Sequence, residues 1–441
     1  MGVDIIYNPF SKVIIVITFI FIVSCTPVNN HSSEKVSITN YSTKPQINFL
    51  DKKQIQKKTT KQKSKDLVVQ KSFDEFANQN LLNKIEIILP RYTNENITKH
   101  LINSFELSIY KKEIDNTILN INRYTDLKDL ENILNLKAKP GKIFIGTLNI
   151  NATKLIKQYC SKGILFFSFA FDKSIADECV YLINFFPEDD LHALFNFFPA
   201  DSKIALLYPE NFYGHNINKI IDPIASKSKS LIINKVAYKE DLTNARDSIK
   251  ELGKYELRRH ELERQKKILK NKNDEISKKA LKKIKKYETA GNVDFTHLIL
   301  PDYSIRLLEI APLLPFYDVD PNKIQFVGTG VWDDTIFFNE PSLQGAIFSG
   351  IEEEKRKDFF SDYEYIYQEK PIRTATIPYD LMGIISYIID NKMTVRDVYK
   401  LLDDGNIKFD GIDGKFFFIN NSIFRELDIL KINNGRANKL N

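Results

Sequence analysis

Residues 84–109 read KIEIILPRYTNENITKHLINSFELSI and carry the pattern that repeats along most of this 441-residue chain. The apolar run 84–89 predicts a buried strand, which ends at Pro90. Four apolar residues then follow at intervals of four: Ile97, Leu101, Phe105 and Ile109. This spacing places them on one face of a helix. The stretch therefore predicts a strand followed by a helix that packs against it.

Further runs of the same kind form two sets of candidate strands. The first set is 84–89, 117–122, 142–147, 164–168 and 180–185, and the second is 203–208, 230–238, 295–300 and 323–327. Strands that alternate with helices indicate parallel sheets built from right-handed βαβ units. The roughly 365 residues after Phe76 also exceed the usual size of one domain. We therefore expect an α/β fold with two doubly wound, Rossmann-like lobes.

The N-terminus predicts export. Lys12 precedes an apolar run over residues 13–23, which is too short to span a bilayer and has the length of a signal-peptide core. The run ends in Ile22-Val23-Ser24-Cys25, which resembles the lipobox of bacterial lipoproteins. This predicts a signal peptide over residues 1–24 and acylation of Cys25. Thr26 replaces the Asp that marks inner-membrane retention in many lipoproteins, and this favours the outer membrane.

Residues 25–75 are predicted to be a disordered tether, because they are polar and nearly free of aromatic residues. Residues 51–65 contain seven Lys and one Asp, a net charge of +6. This run is either a solvated linker, the simpler interpretation, or a contact for anionic lipid or glycan.

A charged helical insertion is predicted over residues 239–288 of the second lobe. Residues 251–287 hold fourteen Lys or Arg and six Asp or Glu, a net charge of +8. Leu262, Leu269 and Ile276 recur every seven residues and predict a narrow apolar seam. Residues 272–274 could turn the chain, with Asp274 as the next N-cap. The segment is either a solvated helical face or a docking surface for an acidic partner.

Few residues of the chain suggest catalysis or metal binding. The six His are scattered without zinc-site spacing, and no Gly-x-Ser-x-Gly or phosphate-binding loop occurs. Asp333 and Asp334 are adjacent in sequence, so their carboxylates are expected to point apart. Trp332 is expected to be a packing anchor.

Cys160 and Cys179 could pair in an oxidising compartment or remain buried thiols. We expect no enzyme activity, no cofactor, no metal and no nucleic-acid partner.

A ligand cleft is predicted where the strands end, because open α/β sheets bind ligands beyond the carboxyl ends of their strands. Those ends include Thr147, Ser168, Ala170, Tyr213 and Asp302. Hydroxyl and backbone N–H groups suit a carboxylate, and Asp302 could pair with an ammonium group. Each residue taken alone is also explained as a turn or a helix cap.

Seven stretches in chain order carry a family resemblance: 143–147 (IFIGT), 209–214 (PENFYG), 298–302 (LILPD), 328–334 (GTGVWDD), 341–345 (PSLQG), 379–380 (YD) and 409–416 (FDGIDGKF). The last predicts a β-hairpin, closed by a strand at about 426–431. Together they resemble the type 1 periplasmic-binding-protein superfamily in its leucine-binding-like branch. More narrowly, they resemble its penicillin-binding-protein activator (LppC-type) lipoproteins.

The resemblance implies chain crossings between the lobes at about 188–202, 334–343 and 403. Lobe 1 would hold residues 84–188 and 343–402, and lobe 2 residues 203–334 and 404–432. It also assigns Thr147, Ser168, Ala170, Tyr213 and Asp302 to ligand binding. The Pro and Ser expected after Gly146 are missing, and the bulky Phe169 separates Ser168 from Ala170. These departures weigh against amino-acid binding, and the charged insertion favours protein contact.

Two hypotheses follow. The first is a non-catalytic periplasmic lipoprotein, anchored in a membrane through its lipid, that binds and stimulates a peptidoglycan synthase (a penicillin-binding protein). The second is a solute receptor that delivers an amino acid or amide to an ABC importer.

Overall fold

The computed structural model describes residues 48–49, 82–91, 95–114, 119–177, 179–303 and 305–440. All of them belong to one compact unit that runs from Thr43 to Asn441. The predicted signal peptide over residues 1–24 and the predicted lipidation site Cys25 lie outside the described residues. Of the predicted tether over residues 25–75, only the two-residue strand at 48–49 is described.

The strands, in chain order, are β1 (Asn48–Phe49), β2 (Lys84–Pro90), β3 (Leu119–Tyr124), β4 (Lys142–Gly146), β5 (Leu165–Ser168), β6 (Val180–Leu182), β7 (Lys203–Pro209), β8 (Leu231–Tyr238), β9 (His297–Ile299), β10 (Gln325–Gly328), β11 (Ile347–Gly350), β12 (Ile407–Gly411), β13 (Gly414–Ile419), β14 (Ser422–Arg425), β15 (Asp428–Asn433) and β16 (Arg436–Lys439).

The helices are α1 (Glu95–Lys111), α2 (Leu127–Lys137), α3 (Ile150–Lys157), α4 (Pro187–Phe197), α5 (Phe212–Lys227), α6 (Ala245–Leu252), α7 (Tyr255–Lys270), α8 (Glu275–Ile284), α9 (Ile305–Ile310), α10 (Leu313–Phe316), α11 (Lys357–Tyr367), α12 (Thr376–Asp390) and α13 (Val395–Asp403).

The strands form two sheets, one for each lobe, and this confirms the predicted α/β fold with two doubly wound lobes. The first sheet has the order β1-β12-β13-β14-β6-β5-β4-β2-β3, and the second has the order β16-β15-β11-β10-β9-β7-β8. Parallel pairing runs along β3-β2-β4-β5-β6-β14 in the first sheet and along β8-β7-β9-β10-β11 in the second. Antiparallel strands complete one edge of each sheet.

Apolar periodicity explains how the first sheet is covered. On α1, Leu101 and Phe105 are buried and Ile97 and Ile109 are half-buried, all on the predicted face. This face packs beside α12, whose apolar residues are buried in the same core. The second lobe has its own core, in which Trp332 is fully buried and donates its indole N–H to the Leu300 carbonyl at 3.1 Å. Trp332 is thus a packing anchor, as expected.

All three predicted chain crossings are misplaced. The first lies at 183–186 and not at 188–202, because β6 ends at Leu182 and α4 already packs on the second sheet. Strand β11 still pairs with β10, so the chain leaves the second sheet after Gly350 and not at 334–343. Strands β12, β13 and β14 belong to the first sheet, so residues 404–432 are not all in lobe 2. The chain returns to lobe 2 between Arg425 and Asp428, where β14 ends and β15 begins. Strand β11 was not predicted, because its four residues are too few to show a strand periodicity.

The C-terminal hairpin forms as predicted between β12 and β13, but residues 426–431 do not close it. Asn420 and Asn421 both have positive φ, 48° and 56°. Two such residues in succession suit a tight hairpin turn, and this turn makes β14 the partner of β13. Strand β15 pairs instead with β11 in the other sheet.

Within the predicted insertion over residues 239–288, α6 packs on the second sheet through Ala245, Ile249 and Leu252, so only α7 and α8 are inserted as a helix pair. Asp274 caps α8 by accepting the Ser277 backbone N–H at 2.8 Å, as predicted. The predicted apolar seam is only partly correct: Leu262 is buried, but Ile276 is 81% exposed. The turn between α7 and α8 breaks the seven-residue phase, so a seam on α7 does not continue along α8.

Cys160 and Cys179 form a disulfide, which settles the alternative that the sequence left open. The bond links Cys160, which begins the short helical segment after α3, to Cys179, the residue before β6, within the first lobe. Such a bond is typical of proteins in oxidising compartments.

Candidate functional site

The predicted cleft residues of lobe 1 form a closed group of hydroxyls. The Thr147 hydroxyl lies 2.8 Å from that of Thr153 and 3.2 Å from that of Ser168, and Thr153 and Ser168 are 2.8 Å apart. The Ala170 backbone N–H donates to the Ser168 hydroxyl at 3.1 Å. All three hydroxyl side chains are fully buried. Their hydrogen bonds therefore link β4, α3 and β5 to one another.

Thr147 occupies an unusual backbone conformation with φ of 50°, which is rare for a β-branched residue. Its backbone N–H donates to the Ile88 carbonyl at 2.8 Å. The hydrogen bonds of the Thr147 hydroxyl and this backbone bond together hold the turn after β4. Thr153 is the third hydroxyl residue of the set. It was not predicted, because it lies inside a helix and away from the strand ends.

Tyr213 and Asp302, the predicted cleft residues of lobe 2, also bond within their own lobe. The Tyr213 hydroxyl lies 2.8 Å from that of Thr329. Burial raises the pKa of Tyr213 well above its usual value, so the phenol stays neutral. Asp302 is buried and accepts from Tyr238, from the Tyr303 backbone N–H at 2.7 Å and from Arg306 at 2.9 Å. Asp302 is therefore already paired with a cation of its own chain.

Two aromatic rings meet where the carboxyl ends of the two sheets face each other. Phe171 follows β5 of the first sheet, and Phe212 begins α5 beside the second. Their ring centroids are 5.8 Å apart, within the range of a favourable aromatic pair. Both rings remain partly exposed, at 48% and 65%. The lobes thus touch at the cleft through apolar side chains.

A cluster of buried and half-buried charges lies where the chain passes between the lobes. We call it the crossover cluster: Asp189, Asp190, Asp333, Arg356, Arg373, Asp380, Asp413 and Arg425. Asp190 on α4 accepts from the Gly330 backbone N–H at 3.0 Å and from the Ser349 hydroxyl at 2.7 Å. Asp189 accepts from the Arg425 backbone N–H at 3.1 Å. These neighbouring carboxylates therefore join α4 to elements of both sheets.

Two arginines of this cluster stack on one phenylalanine. The guanidinium groups of Arg373 and Arg425 lie 4.2 and 4.4 Å from the centroid of the Phe185 ring. Arg373 also reaches Asp413 at 2.7 Å and Asp333 at 3.4 Å. Arg425 is 2% exposed and donates to the Asn184 carbonyl. The first crossing of the chain, at Asn184 and Phe185, is thus held by Arg425 from its third crossing and by Arg373, which precedes α12 in lobe 1.

Burial shifts the pKa values of the acidic members upward. It raises the pKa of Asp190 to about 7, although the Ser349 and Gly330 hydrogen bonds oppose the shift. It raises the pKa of Asp189 to about 6, opposed by Lys173 and Arg425. Burial and the neighbouring Asp413 raise the pKa of Asp380 to about 6.

Sequence reasoning missed most of the crossover cluster. Asp380 and Asp413 lie in stretches that carried the family resemblance, but nothing in the sequence indicated their role. The run Glu188-Asp189-Asp190 follows Pro187 and looks like an ordinary acidic helix start. Burial of the last two carboxylates depends on strands that lie more than 130 residues away in the chain.

Neither a metal site nor a membrane span is found in the part of the chain that the structure describes. No group of three or more His, Cys, Asp or Glu is arranged there to hold a metal ion. No helix among these residues is long and apolar enough to cross a bilayer. Asp333 forms an ion pair with Arg356 at 2.5 Å.

The two sheets, their order and the three crossings between them define the fold of the type 1 periplasmic-binding proteins. No protein-family model and no curated protein matches the sequence. Solved structures do match. An ABC transporter substrate-binding protein from Desulfitobacterium hafniense in complex with Leu has 13% identity and a TM-score of 0.53, over 81% of this chain and 99% of that chain.

Two further matches come from Haemophilus influenzae. The C-domain of LpoA, a regulator of PBP1A, has 11% identity and a TM-score of 0.53, over 81% of this chain and all of that chain. Full-length LpoA has 12% identity and a TM-score of 0.55, and the match covers 83% of this chain and 60% of that chain. At such identities the likeness shows the fold alone. Both kinds of neighbour are binding or regulatory proteins.

Proposed function

We propose that this protein is a non-catalytic periplasmic lipoprotein, anchored through Cys25 in the outer membrane, that binds and regulates a peptidoglycan synthase. The regulated enzyme would be a penicillin-binding protein. The lobes serve as a scaffold for this contact, and the cleft between them does not need a solute.

One observation carries the proposal: the polar side chains at the strand ends are bonded to their own lobe. The hydroxyls of Thr147 and Ser168 bond to Thr153, that of Tyr213 bonds to Thr329, and Asp302 pairs with Arg306. A buried polar group that already has its partner gains little by exchanging it for a ligand. An amino acid would have to break these bonds in both lobes.

The likeness to LpoA supports the same proposal. The whole C-domain of that regulator of PBP1A matches this chain, so a regulator of a synthase can have this fold. The predicted export signal, the lipidation site and the basic insertion fit a protein that works at a membrane surface.

The proposal is tested with the full-length acylated protein and the peptidoglycan synthases of its host. We expect it to bind one of them saturably in detergent solution and to raise the rate of glycan-strand synthesis from a lipid-linked precursor. A Tyr213→Ala variant serves as a cleft control and should stimulate as well as the native protein. If every synthase fails to bind a bait that melts cooperatively, the proposal is wrong.

The solute-receptor alternative has its own test, because a substrate-binding protein in complex with Leu shares the fold. The refolded protein is melted against a panel of amino acids and small amides. A ligand at a hundred times its dissociation constant would add about 2.7 kcal/mol to stability. We expect no shift. A shift that is lost in Tyr213→Ala and Asp302→Ala would establish a receptor instead.

A further inference from the structure

The two helices of the insertion differ in how their charges are compensated. On α7, Arg259, Arg264 and Lys266 each form an ion pair with a Glu three residues earlier, and Arg258 pairs with Asp318. Lys267 and Lys270 of α7 form no ion pair among the described residues. On α8 and the two residues after it there are six Lys and one Glu. Of these, Lys278 pairs with Glu275. No ion pair involves Lys279, Lys282, Lys283 or Lys285 in the part of the chain that the structure describes.

Three of these lysines, Lys279, Lys282 and Lys283, share the outward side of α8. The helix packs against α7 through its less exposed residues, which are Ser277, Ala280, Leu281 and Ile284. Ile276, Lys279, Lys283 and Lys286 follow one another at helical spacing on the other side, and all four are exposed. We call these four residues and Lys282 the outer stripe of α8.

Apolar and aromatic side chains lie at the two ends of the outer stripe. Ile276 begins it and is 81% exposed. Lys286 ends it, 5.4 Å from the ring centroid of Tyr287, which is 45% exposed. A basic helix face with an exposed Ile at one end and a Tyr at the other has the composition of surfaces that lie in a bilayer interface.

The base of the helix pair is fixed firmly to lobe 2. Arg258 donates to the Gly253 carbonyl at 2.8 Å and to the Thr289 hydroxyl at 2.9 Å, and it pairs with Asp318 at 3.2 Å. Lys254 pairs with Asp294 at 2.6 Å. The outer stripe is therefore held in one orientation relative to lobe 2.

We propose that the outer stripe of α8 docks on the surface of an anionic phospholipid bilayer. This inference rests on the proposed function only for the lipid anchor that brings the chain to a membrane. Four lysine ammonium groups attract a surface of phosphate headgroups, because the one acidic residue on this side of α8, Glu275, is already paired with Lys278. Ile276 can enter the boundary between headgroups and acyl chains.

Two features favour a bilayer over an acidic protein as the partner. The stripe contains Lys and no Arg, whereas fixed carboxylates on a protein are bound best by the planar fork of Arg. The stripe is also small and convex, since a ten-residue helix is only about 15 Å long. A stable protein interface needs roughly 800 Å² on each partner. Attraction to an anionic bilayer needs no interface of this size, because each lysine near the surface contributes separately.

The test uses the full-length acylated protein in vesicles. Ile276→Cys introduces a thiol for an environment-sensitive fluorophore, because Cys160 and Cys179 are bonded to each other and Cys25 is the expected acylation site. The probe should shift to an apolar environment in vesicles of phosphatidylglycerol and phosphatidylethanolamine. It should not shift in phosphatidylcholine vesicles, and 1 M salt should reverse the effect. A Lys128→Cys probe on the first lobe should not respond.

A charge variant makes the test specific. Replacing Lys279, Lys282, Lys283 and Lys286 by Gln should lower the ratio of docked to undocked protein at least tenfold, since each lysine near an anionic surface contributes about a fivefold factor. The matched control replaces four exposed lysines elsewhere by Gln: Lys128, Lys139, Lys154 and Lys219. This control should dock like the native protein.

Three results would overturn the proposal: an equal shift in neutral vesicles, an unchanged shift in the α8 variant, or an equal loss in the control. If the α8 variant still contacts vesicles but no longer binds the synthase, the stripe serves an acidic protein and the membrane proposal is wrong. The synthase assay in detergent contains no bilayer, so its failure is distinguishable from a failure here.

Discussion

The crossover cluster and the α7–α8 helix pair both collect charged residues, yet they use them in opposite ways. Arg425 and Asp413 of the cluster are 2% and 0% exposed, and every Arg of the cluster lies beside at least one carboxylate or carbonyl oxygen. On α8, four lysines in succession along the chain are exposed and lack an acidic partner among the described residues.

The contribution of a charged side chain to the free energy of unfolding thus depends on its surroundings. A buried charge must be compensated, so its partners are fixed and their loss is costly. An exposed charge is hydrated whether or not it is paired, and its removal changes stability little. We therefore expect the crossover cluster to control folding and the outer stripe of α8 to control association.

The largest effect is expected for Arg425→Ala. Its removal takes away one of the cations near Asp189 and Asp413, which keep Lys173 and Arg373. It also leaves the Asn184 carbonyl without its guanidinium donor and exposes one face of Phe185, so the free energy of unfolding should fall by about 3 kcal/mol. Denaturant titration measures this loss. The control is Arg264→Ala on α7, where an exposed ion pair with Glu261 is broken and no measurable change is expected. Equal effects of the two variants would refute the comparison.

Asp190→Asn should change how stability depends on pH. Burial raises the pKa of Asp190 to about 7, well above the value of about 3.9 in the unfolded chain. Its protonated form is favoured by folding, so its contribution is complete below about pH 4 and is lost as the pH rises through about 7. The amide oxygen can still accept from Gly330 and Ser349.

The native protein should therefore lose about 2–3 kcal/mol more stability than Asp190→Asn between pH 5 and pH 8. Denaturant titrations at these two pH values measure the difference. Asp222→Asn, which changes a largely exposed carboxylate paired with Lys235, serves as the control. A native-like pH dependence in Asp190→Asn would show that Asp190 is ionised throughout this range.

Arg258→Ala tests the same difference between buried and exposed charges within α7. Like the arginines of the crossover cluster, Arg258 on α7 is mostly buried and donates to oxygen atoms around it; only 11% of its side chain is exposed. Its loss should lower the free energy of unfolding by about 2 kcal/mol, because it donates to a carboxylate and two neutral groups. Arg259→Ala, one residue away and 60% exposed, should have little effect. Similar losses in both variants would contradict this assignment.

The smallest effect on stability is expected for the α8 lysines. Each substitution of Lys279, Lys282, Lys283 or Lys286 by Gln should change the free energy of unfolding by no more than about 0.5 kcal/mol. The thermal midpoint of the fourfold variant checks this. A large loss would show that the stripe stabilises the fold, and the vesicle experiment would then need single substitutions.

Much of the fold follows from local patterns in the sequence. The alternation of apolar runs and helical periodicity predicted two doubly wound lobes, and α1, the cap at Asp274 and the β12–β13 hairpin formed as expected. Each of these elements depends on residues that are close in the chain, such as Leu101 and Phe105 on successive turns of α1. Contacts of this kind are encoded within a dozen residues, so the sequence reveals them directly.

The placement of the last strands and the crossover cluster depended on the tertiary structure. Strand β14 joins the first sheet because the Asn420-Asn421 turn directs it beside β6, about 240 residues earlier, and β15 then reaches β11. Asp190 and Arg425 are buried because these distant segments meet around them. The sequence therefore determined which elements form and which charges are available, while long-range pairing decided which charges are buried and which, as on α8, remain exposed to solvent.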